Sequence, residues 1–385
     1  MEVIRPTNAS ELAAALQAAA SAGSTIALRG AGSKDAMGGP VPDAQVDLCL
    51  DRLSGILQYE PHDLTIQVAA GTPWRELTAA LAQHRQMLPL DPPCAATATV
   101  GGVVAANCSG PRRRYFGAAR DMVIGMTLAT LDGNLVQTGG MVVKNVAGLD
   151  MQKALTGSFG TLAAMASVNF KLAPLPEANR TFLYVFQSAA ECLAARQRVL
   201  TSVLQPAAID ILNPSAAKLT GWDAFLLAVR AGGSETVLAR YARELAAARP
   251  PEGALEGARE TAFWYTVQEF APEWVRQTTA RSVVRVGHML AELGDVLDSA
   301  SGACIARAGN GVSYLAFDGI DALQDWMAAT QTKPWSRVVE WCGPEIKTKV
   351  DLWPAAGDDF ALMERLKLLF DPQRLLNPGR LYGRL

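Results

Sequence analysis

Leu28-Arg29-Gly30-Ala31-Gly32-Ser33-Lys34-Asp35 is the stretch on which the reading of this chain turns. An apolar run over 25–29 has the composition of a strand and passes directly into Gly30-Ala31-Gly32, which invites a dinucleotide-binding reading. The Rossmann spacing fails, because its third glycine falls on Asp35. Met37-Gly38-Gly39-Pro40-Val41-Pro42 then continues as a loop, so no helix N-terminus sits beneath a bound dinucleotide. No Gly-Lys dipeptide occurs anywhere, which removes the P-loop. Two readings remain. One is a plain turn between strands. The other is an anion nest, in which successive backbone N–H groups converge on a phosphate while Ser33 and Lys34 add donors.

Three further loops rich in small residues follow within about 130 residues. The first runs from Thr97 through Thr99-Val100-Gly101-Gly102 to Asn107 and Gly110. The second is Lys144-Asn145-Val146-Ala147-Gly148. The third is Gly157-Ser158-Phe159-Gly160. Any one of them suits tight sheet–helix packing. Four together suit repeated close approach of backbone to one extended ligand.

Working outward, the N-terminal part alternates strand and helix signals. A short strand over 3–5 precedes a capping box, Asn8 to Glu11, and a helix ending at Gly23. Strands are expected over 46–50 and 64–70, with a helix over 73–84 opened by Pro73. A strand over 122–131 is turned back by Asp132-Gly133 into 135–137. Pro174-Leu175-Pro176 marks a boundary. Beyond it come a strand over 182–186, a helix capped by Ser188 with Glu191, strands near Ile209 and over 225–229, and a helix over 235–248. A polar loop over 249–257 and strands over 282–286, 312–317 and 337–341 follow. This is an α+β pattern, with helices on one face of an antiparallel sheet. A last helix over 360–370 places Leu362, Leu366 and Leu369 at core spacing and stops at Asp371-Pro372.

Composition narrows the function. The 385 residues suit about two domains. They are 50% hydrophobic and 19% charged, enough to bury a large core. A net charge of −2 argues against a nucleic-acid binder. The six cysteines form no C-x-x-C pair, which removes ribbon-type zinc, thioredoxin-like and iron–sulfur sites. The start of the sequence lacks a basic and apolar leader, so a reducing, cytoplasmic setting is expected. Two uncharged stretches, 92–111 and 154–170, have the length of a membrane span. Gly, Ser, Thr and Asn interrupt both, so neither is expected to cross a bilayer. Arg112-Arg113-Arg114 reads as a solvated loop or as a contact for an acidic partner or cofactor phosphates. Of three histidines, His62 and His84 sit at a turn and at a helix end. His288 is the one candidate base. Neither H-E-x-x-H nor G-x-S-x-G is present.

The order of these segments resembles the flavoproteins of the vanillyl-alcohol-oxidase and p-cresol-methylhydroxylase type. The resemblance is carried by Arg29 to Lys34, by Ala98-Thr99-Val100-Gly101-Gly102 with Asn107 and Gly110, and by Gly117-Ala118-Ala119-Arg120-Asp121. Asp132-Gly133, Gly157 to Leu162 and Phe370-Asp371-Pro372-Gln373-Arg374-Leu375-Leu376-Asn377-Pro378-Gly379-Arg380 complete it. Within that family the chain looks most like the FAD-binding E subunits of bacterial glycolate oxidases. Gly32-Ser33-Lys34-Asp35 and Val143 to Gly148 carry that part.

The resemblance implies an FAD-binding domain of two subdomains over 1–175. An α+β cap over 176–385 would follow, its C-terminal tail returning to the cofactor. It implies that Arg29, Gly30, Ala31, Gly32, Ser33 and Lys34 wrap the pyrophosphate. Thr97, Thr99, Val100, Gly101, Gly102, Asn107 and Gly110 would lie along the pyrophosphate and ribityl chain. Lys144, Val146, Gly148, Gly157 and Gly160 would line the adenine or flavin side, with Asn377 and Arg380 at the isoalloxazine. Some relatives tether flavin through a histidine in the first loop. Here that loop offers Ser33 and Lys34, so non-covalent FAD is expected.

The implied activity is oxidation of a 2-hydroxy acid, glycolate to glyoxylate. Electrons would pass to an iron–sulfur partner within a complex that also holds a homologous FAD subunit, and membrane contact would be peripheral, through partners. Such chemistry needs a cationic clamp for the carboxylate, for which Arg285, Arg307 and Arg337 are candidates, and a base. No base is evident, and the catalytic residues stay unassigned. The alternatives are an FAD-containing assembly or electron-transfer subunit without turnover, and a stand-alone flavin oxidoreductase with another substrate.

Overall fold

The computed structural model describes residues 1–41, 44–142 and 149–385. The chain divides into two compact units. One comprises Met1–Ser109, Gly117–Leu175 and Ala355–Leu385, the other Gly110–Phe116 and Pro176–Pro354. The first thus includes the C-terminal tail, and the second includes the segment carrying the arginine run.

In the first unit, β1 (Glu2–Ile4), β2 (Ile26–Arg29) and β3 (Val46–Cys49) form a parallel sheet in the order β1-β3-β2. Helix α1 (Ala9–Ser21) starts where the side chain of Asn8 accepts from Glu11 N at 2.9 Å. It buries Leu12, Ala13, Leu16 and Ala19. Gly23, at φ 62°, lets the chain leave the helix. Strands β4 (Ile56–Glu60) and β5 (Thr65–Ala69) precede α2 (Trp74–Gln83) and the two-residue β6 (Gln86–Met87). Helix α3 (Val100–Ala105) leads to β7 (Val123–Ala129), β8 (Leu135–Gly139), β9 (Ala164–Lys171) and β10 (Ala173–Pro174), which pairs with β6. The larger sheet is antiparallel, in the order β4-β5-β9-β7-β8.

The uncharged stretch over 154–170 is explained by that order. It supplies β9, a central strand buried at seven successive positions, Ala164 to Phe170. Both of its faces lie in protein, so the strand carries no alternation and no charge. Among the described residues, no helix is long and apolar enough to cross a membrane.

The second unit is built on one antiparallel sheet of eight strands: β11 (Ala178–Phe186), β12 (Ala208–Leu212), β13 (Phe225–Gly233), β14 (Gly253–Glu256), β15 (Arg281–Gly287), β16 (Cys304–Arg307), β17 (Val312–Asp318) and β18 (Ser336–Cys342). Their spatial order is β14-β11-β13-β12-β16-β17-β15-β18. Phe182, Ile211, Val229, Cys304, Leu315 and Val284 point to one face. There they form the core with α4 (Ala189–Thr201), α5 (Glu235–Ala248), α7 (Leu293–Ser299) and α8 (Ile320–Ala329). The other face carries α6 (Gly257–Arg276). Glu260 of α6 pairs with Arg230 of β13 at one end, and Trp274 Nε1 donates to Phe317 O at the other.

The α+β class and the antiparallel sheet of the second half stand as read from sequence. Several details differ. Residues 249–257 are not all loop: β14 adds an edge strand to β11 (Arg180↔Glu256, Leu183↔Gly253), held by Glu252 accepting from Val185 N at 3.0 Å. The strand β4 and the 20-residue helix α6 have no counterpart in the sequence reading. The exposed residues of β4 and the buried Glu260, Glu269 and Pro272 of α6 break the usual periodicities. In the last helix, Phe360–Phe370, Leu362 and Leu369 are exposed, whereas Lys367 is buried. The core position belongs to an ion-paired lysine and not to the leucine stripe.

Candidate functional site

The first glycine loop is aimed by an ion pair. Arg29, at the end of β2, forks onto Asp47 of β3, with Nε–Oδ1 at 2.7 Å and Nη2–Oδ2 at 2.6 Å. Beyond it the backbone N–H groups of Gly30, Ala31, Gly32 and Ser33 donate to nothing among the described residues. Gly32 has φ 72°, and Asp35 N closes the turn onto Gly32 O at 3.1 Å. Four successive donors without acceptors around a left-handed residue are the donor set that an anion nest uses, and a diphosphate fits that set. A Cβ on Gly30 would lie 2.2 Å from Thr99 Oγ1, so this loop packs directly on the segment that opens α3. The Lys34 side chain turns inward and donates to Pro93 O.

The second loop behaves differently. Val100 N donates to Thr72 O at 2.9 Å, Gly101 N to Ala70 O at 2.7 Å and Gly102 N to Thr99 Oγ1 at 3.3 Å. A Cβ on Gly101 would meet Ala70 Cβ at 2.9 Å. These residues shape the wall and carry no free N–H. Thr97 is exposed, with its hydroxyl 3.4 Å from Cys94 O. Asn107, at φ 47°, accepts from Arg120 N at 3.3 Å. Gly157 N and Phe159 N donate to Val104 O and Ala105 O at 3.0 and 2.9 Å, which fastens this loop to the end of α3. Gly110 belongs to the second unit. Lys144, Val146 and Gly148 lie outside the described residues.

The tail holds the loops together. Asn377 Oδ1 accepts from Leu28 N at 2.7 Å, while its Nδ2 donates to Leu28 O at 3.1 Å and Phe159 O at 2.7 Å. Arg380 donates from Nη2 to Lys34 O at 2.9 Å and from Nη1 to Gly39 O at 3.0 Å. Both side chains therefore brace the cradle by gripping backbone. Sequence reasoning missed Lys367, the third brace. Its buried ammonium donates to Thr161 O at 2.7 Å, Leu376 O at 3.0 Å and Asp371 Oδ2 at 2.7 Å. Burial holds its pKa below the ordinary lysine value, against the pull of Asp371. The signal was present as a Lys–Asp pair four residues apart at the end of a helix.

In the second unit the three candidate clamp arginines have different fates. Arg307 is buried on Asp210, and Arg337 donates to Thr330 O at 2.5 Å. Among the described residues Arg285 donates from Nε alone, to Glu340 Oε1 at 2.9 Å. His288 has both ring nitrogens engaged. Nδ1 lies 2.9 Å from Met289 O, an acceptor only, so it bears the hydrogen. Nε2 then accepts from the Ser313 hydroxyl at 2.9 Å. Burial lowers its pKa and keeps it neutral. This geometry makes His288 a pin at the end of β15.

The fold agrees with comparisons to known proteins. The FAD binding domain family matches residues 2–139, and the C-terminal domain of FAD linked oxidases matches residues 354–381. The chain thus carries the FAD-binding domain and the C-terminal domain of FAD-linked oxidases, and FAD is its cofactor. It is 39% identical over 155 residues to the glycolate oxidase subunit GlcE of Escherichia coli, covering 40% of this chain and 44% of the relative. It is 28% identical over 212 residues to glycolate oxidase subunit GlcD of Bacillus subtilis, covering 55% and 45%. With the D-lactate dehydrogenase of Archaeoglobus fulgidus it shares 27% over 218 residues, covering 56% and 48%. The match spans less than half the length of each of these relatives. Among solved structures, alkyldihydroxyacetonephosphate synthase shares the fold at a TM-score of 0.76 and 17% identity, covering 98% of this chain and 75% of that one. Substrate-bound p-cresol methylhydroxylase does so at 0.73 and 14%, covering 99% and 88%.

Proposed function

We propose that this chain is the FAD-binding subunit of a multi-subunit 2-hydroxy-acid oxidase that converts glycolate to glyoxylate and delivers the electrons to an iron–sulfur partner. The observation that carries the reading is the 39% identity to a glycolate oxidase subunit over 155 residues, together with matches to a second such subunit and to D-lactate dehydrogenases. Bound FAD supplies the two-electron acceptor. The nest over Gly30 to Ser33 holds its pyrophosphate, and Asn377, Arg380 and Lys367 keep the nest in shape. The FAD is non-covalent, because the loop over 30–41 offers neither His nor Cys for a tether. The onward relay belongs to a partner, since the six cysteines of this chain are each buried and outside any disulfide. The complex is cytoplasmic and touches a membrane only through its partners.

Anaerobic spectroscopy tests this. The purified chain should be yellow and release its flavin on denaturation. Glycolate should bleach the flavin when the partner subunits are present. A coloured chain that no 2-hydroxy acid bleaches, alone or in the complex, would establish the second reading, an FAD-containing assembly subunit without turnover. The engagement of both nitrogens of His288 favours that second reading.

A further inference from the structure

On the α6 face of the second unit's sheet, Arg285 and Tyr314 are direct cross-strand partners of β15 and β17, which brings their Cβ atoms to about 5 Å. Arg285 uses only Nε, on Glu340. Its Nη1 and Nη2 make no hydrogen bond among the described residues. The Tyr314 hydroxyl likewise has no hydrogen-bond partner among them. Arg307 lies against the Tyr314 ring, with its guanidinium carbon 5.3 Å from the centroid, and pairs with Asp210. Arg113, from the basic run, makes no hydrogen bond or ion pair among the described residues, yet its charge reaches Tyr314. Arg285 and Tyr314 are half-buried, so both can meet a small ligand.

The charges do not cancel. Arg285, Arg307 and Arg113 stand against the carboxylates of Glu340 and Asp210, which leaves an excess positive charge. Burial pushes the Tyr314 phenol up to about 12, so at neutral pH it is an intact O–H donor. The open edge of a guanidinium is a planar fork with the spacing of a carboxylate. Glu340 on Nε fixes the orientation of that fork. The phenol beside it supplies one further donor.

We propose that Arg285 and Tyr314 form a binding site for a short carboxylate, with the free edge of Arg285 taking the carboxylate and Tyr314 donating to an adjacent oxygen. The ligand class, a 2-hydroxy or 2-oxo acid, rests on the function proposed above. The fork and phenol themselves do not. Arg113, exposed on the segment 110–116, adds attraction for an anion without fixing its pose.

The test is calorimetric titration of the full FAD-loaded chain with glycolate and with oxalate, using phosphate as a control anion. Wild-type protein should bind both carboxylates. Arg285→Met should weaken binding by about 30-fold, Arg285→Lys should restore part of it, and Tyr314→Phe should weaken it by about tenfold. Flavin content should not change in any of them. Tyr314→Phe removes a hydroxyl that has no hydrogen-bond partner among the described residues, so it reads binding without disturbing the fold. Unchanged carboxylate affinity in Arg285→Met or Tyr314→Phe would overturn the site. So would binding of phosphate as tightly as glycolate, or absence of carboxylate binding to wild type. Each of these results is separate from bleaching of the complex by glycolate, which judges the function.

Discussion

Asn377 completes β2 in the way a neighbouring strand would: its side-chain amide accepts from Leu28 N at 2.7 Å and donates to Leu28 O at 3.1 Å. The same amide nitrogen reaches Phe159 O at 2.7 Å. One side chain from the tail therefore ties the strand that ends at the nest to the Gly157–Gly160 loop.

Replacing that side chain takes away the partner of Leu28 N and of Leu28 O. Asn377→Ala should destabilise the protein by about 3 kcal/mol, since each buried unmet group costs about 1–3 kcal/mol and water can reach some of them. Thermal unfolding measures the loss. FAD affinity, followed by flavin fluorescence, should fall in the same variant. A variant with wild-type melting temperature and wild-type affinity would show that the brace is dispensable.

Gly32 stands at φ 72° in the middle of the nest, where an added Cβ would lie 3.0 Å from Asp35 Oδ2. A β-branched residue is strained there and crowds the converging N–H groups. Gly32→Val should purify without flavin and take up none on addition of FAD, while circular dichroism shows a folded chain. Stoichiometric flavin in folded Gly32→Val would place the pyrophosphate elsewhere.

Arg230 and Glu260 form an ion pair whose side chains are 7% and 4% exposed, joining α6 to the sheet. Removing one member of a buried pair strands the other charge. Arg230→Met should lower the stability of the second unit by about 3–5 kcal/mol. The double variant Arg230→Met, Glu260→Gln should recover much of it, and denaturant titration compares the two. A single variant as stable as wild type would contradict the pairing.

His288 sets an acid limit. Its pKa is lowered from 6.5, chiefly by burial, so the unfolded chain binds this proton more tightly than the folded one. The corresponding stability is fully present above pH 6.5 and is lost as pH falls from there through the lowered folded value. His288→Gln should flatten the melting temperature across that window. A profile of the same slope in both proteins would assign the acid sensitivity to other groups.

How much of this was legible in the sequence depended on how far apart the interacting residues lie. Caps and local periodicity read well: Asn8 with Glu11, Ser188 with Glu191, and the helices Glu235–Ala248 and Phe360–Phe370 fall where the pattern placed them. The nest was visible too, since it needs only consecutive residues with small side chains after a strand. The glycine loops around α3 were ambiguous, and the geometry separates them. Gly30 to Ser33 keep free donors, whereas Val100 to Gly102, Gly157 and Phe159 have theirs engaged within the protein.

By itself, the sequence determined the alternation of strands and helices, the class of the fold and the glycine loop that can receive a diphosphate, because each depends on residues within a few positions of one another. Only the tertiary structure decided what the polar side chains do. Asn377 finds Leu28 across 349 positions, Lys367 finds Thr161 across 206, and Arg285 turns its Nε to Glu340, 55 residues on. A side chain's partner is set by which backbone groups the folded chain leaves unpaired nearby. That is a property of the packed molecule, and no local pattern records it.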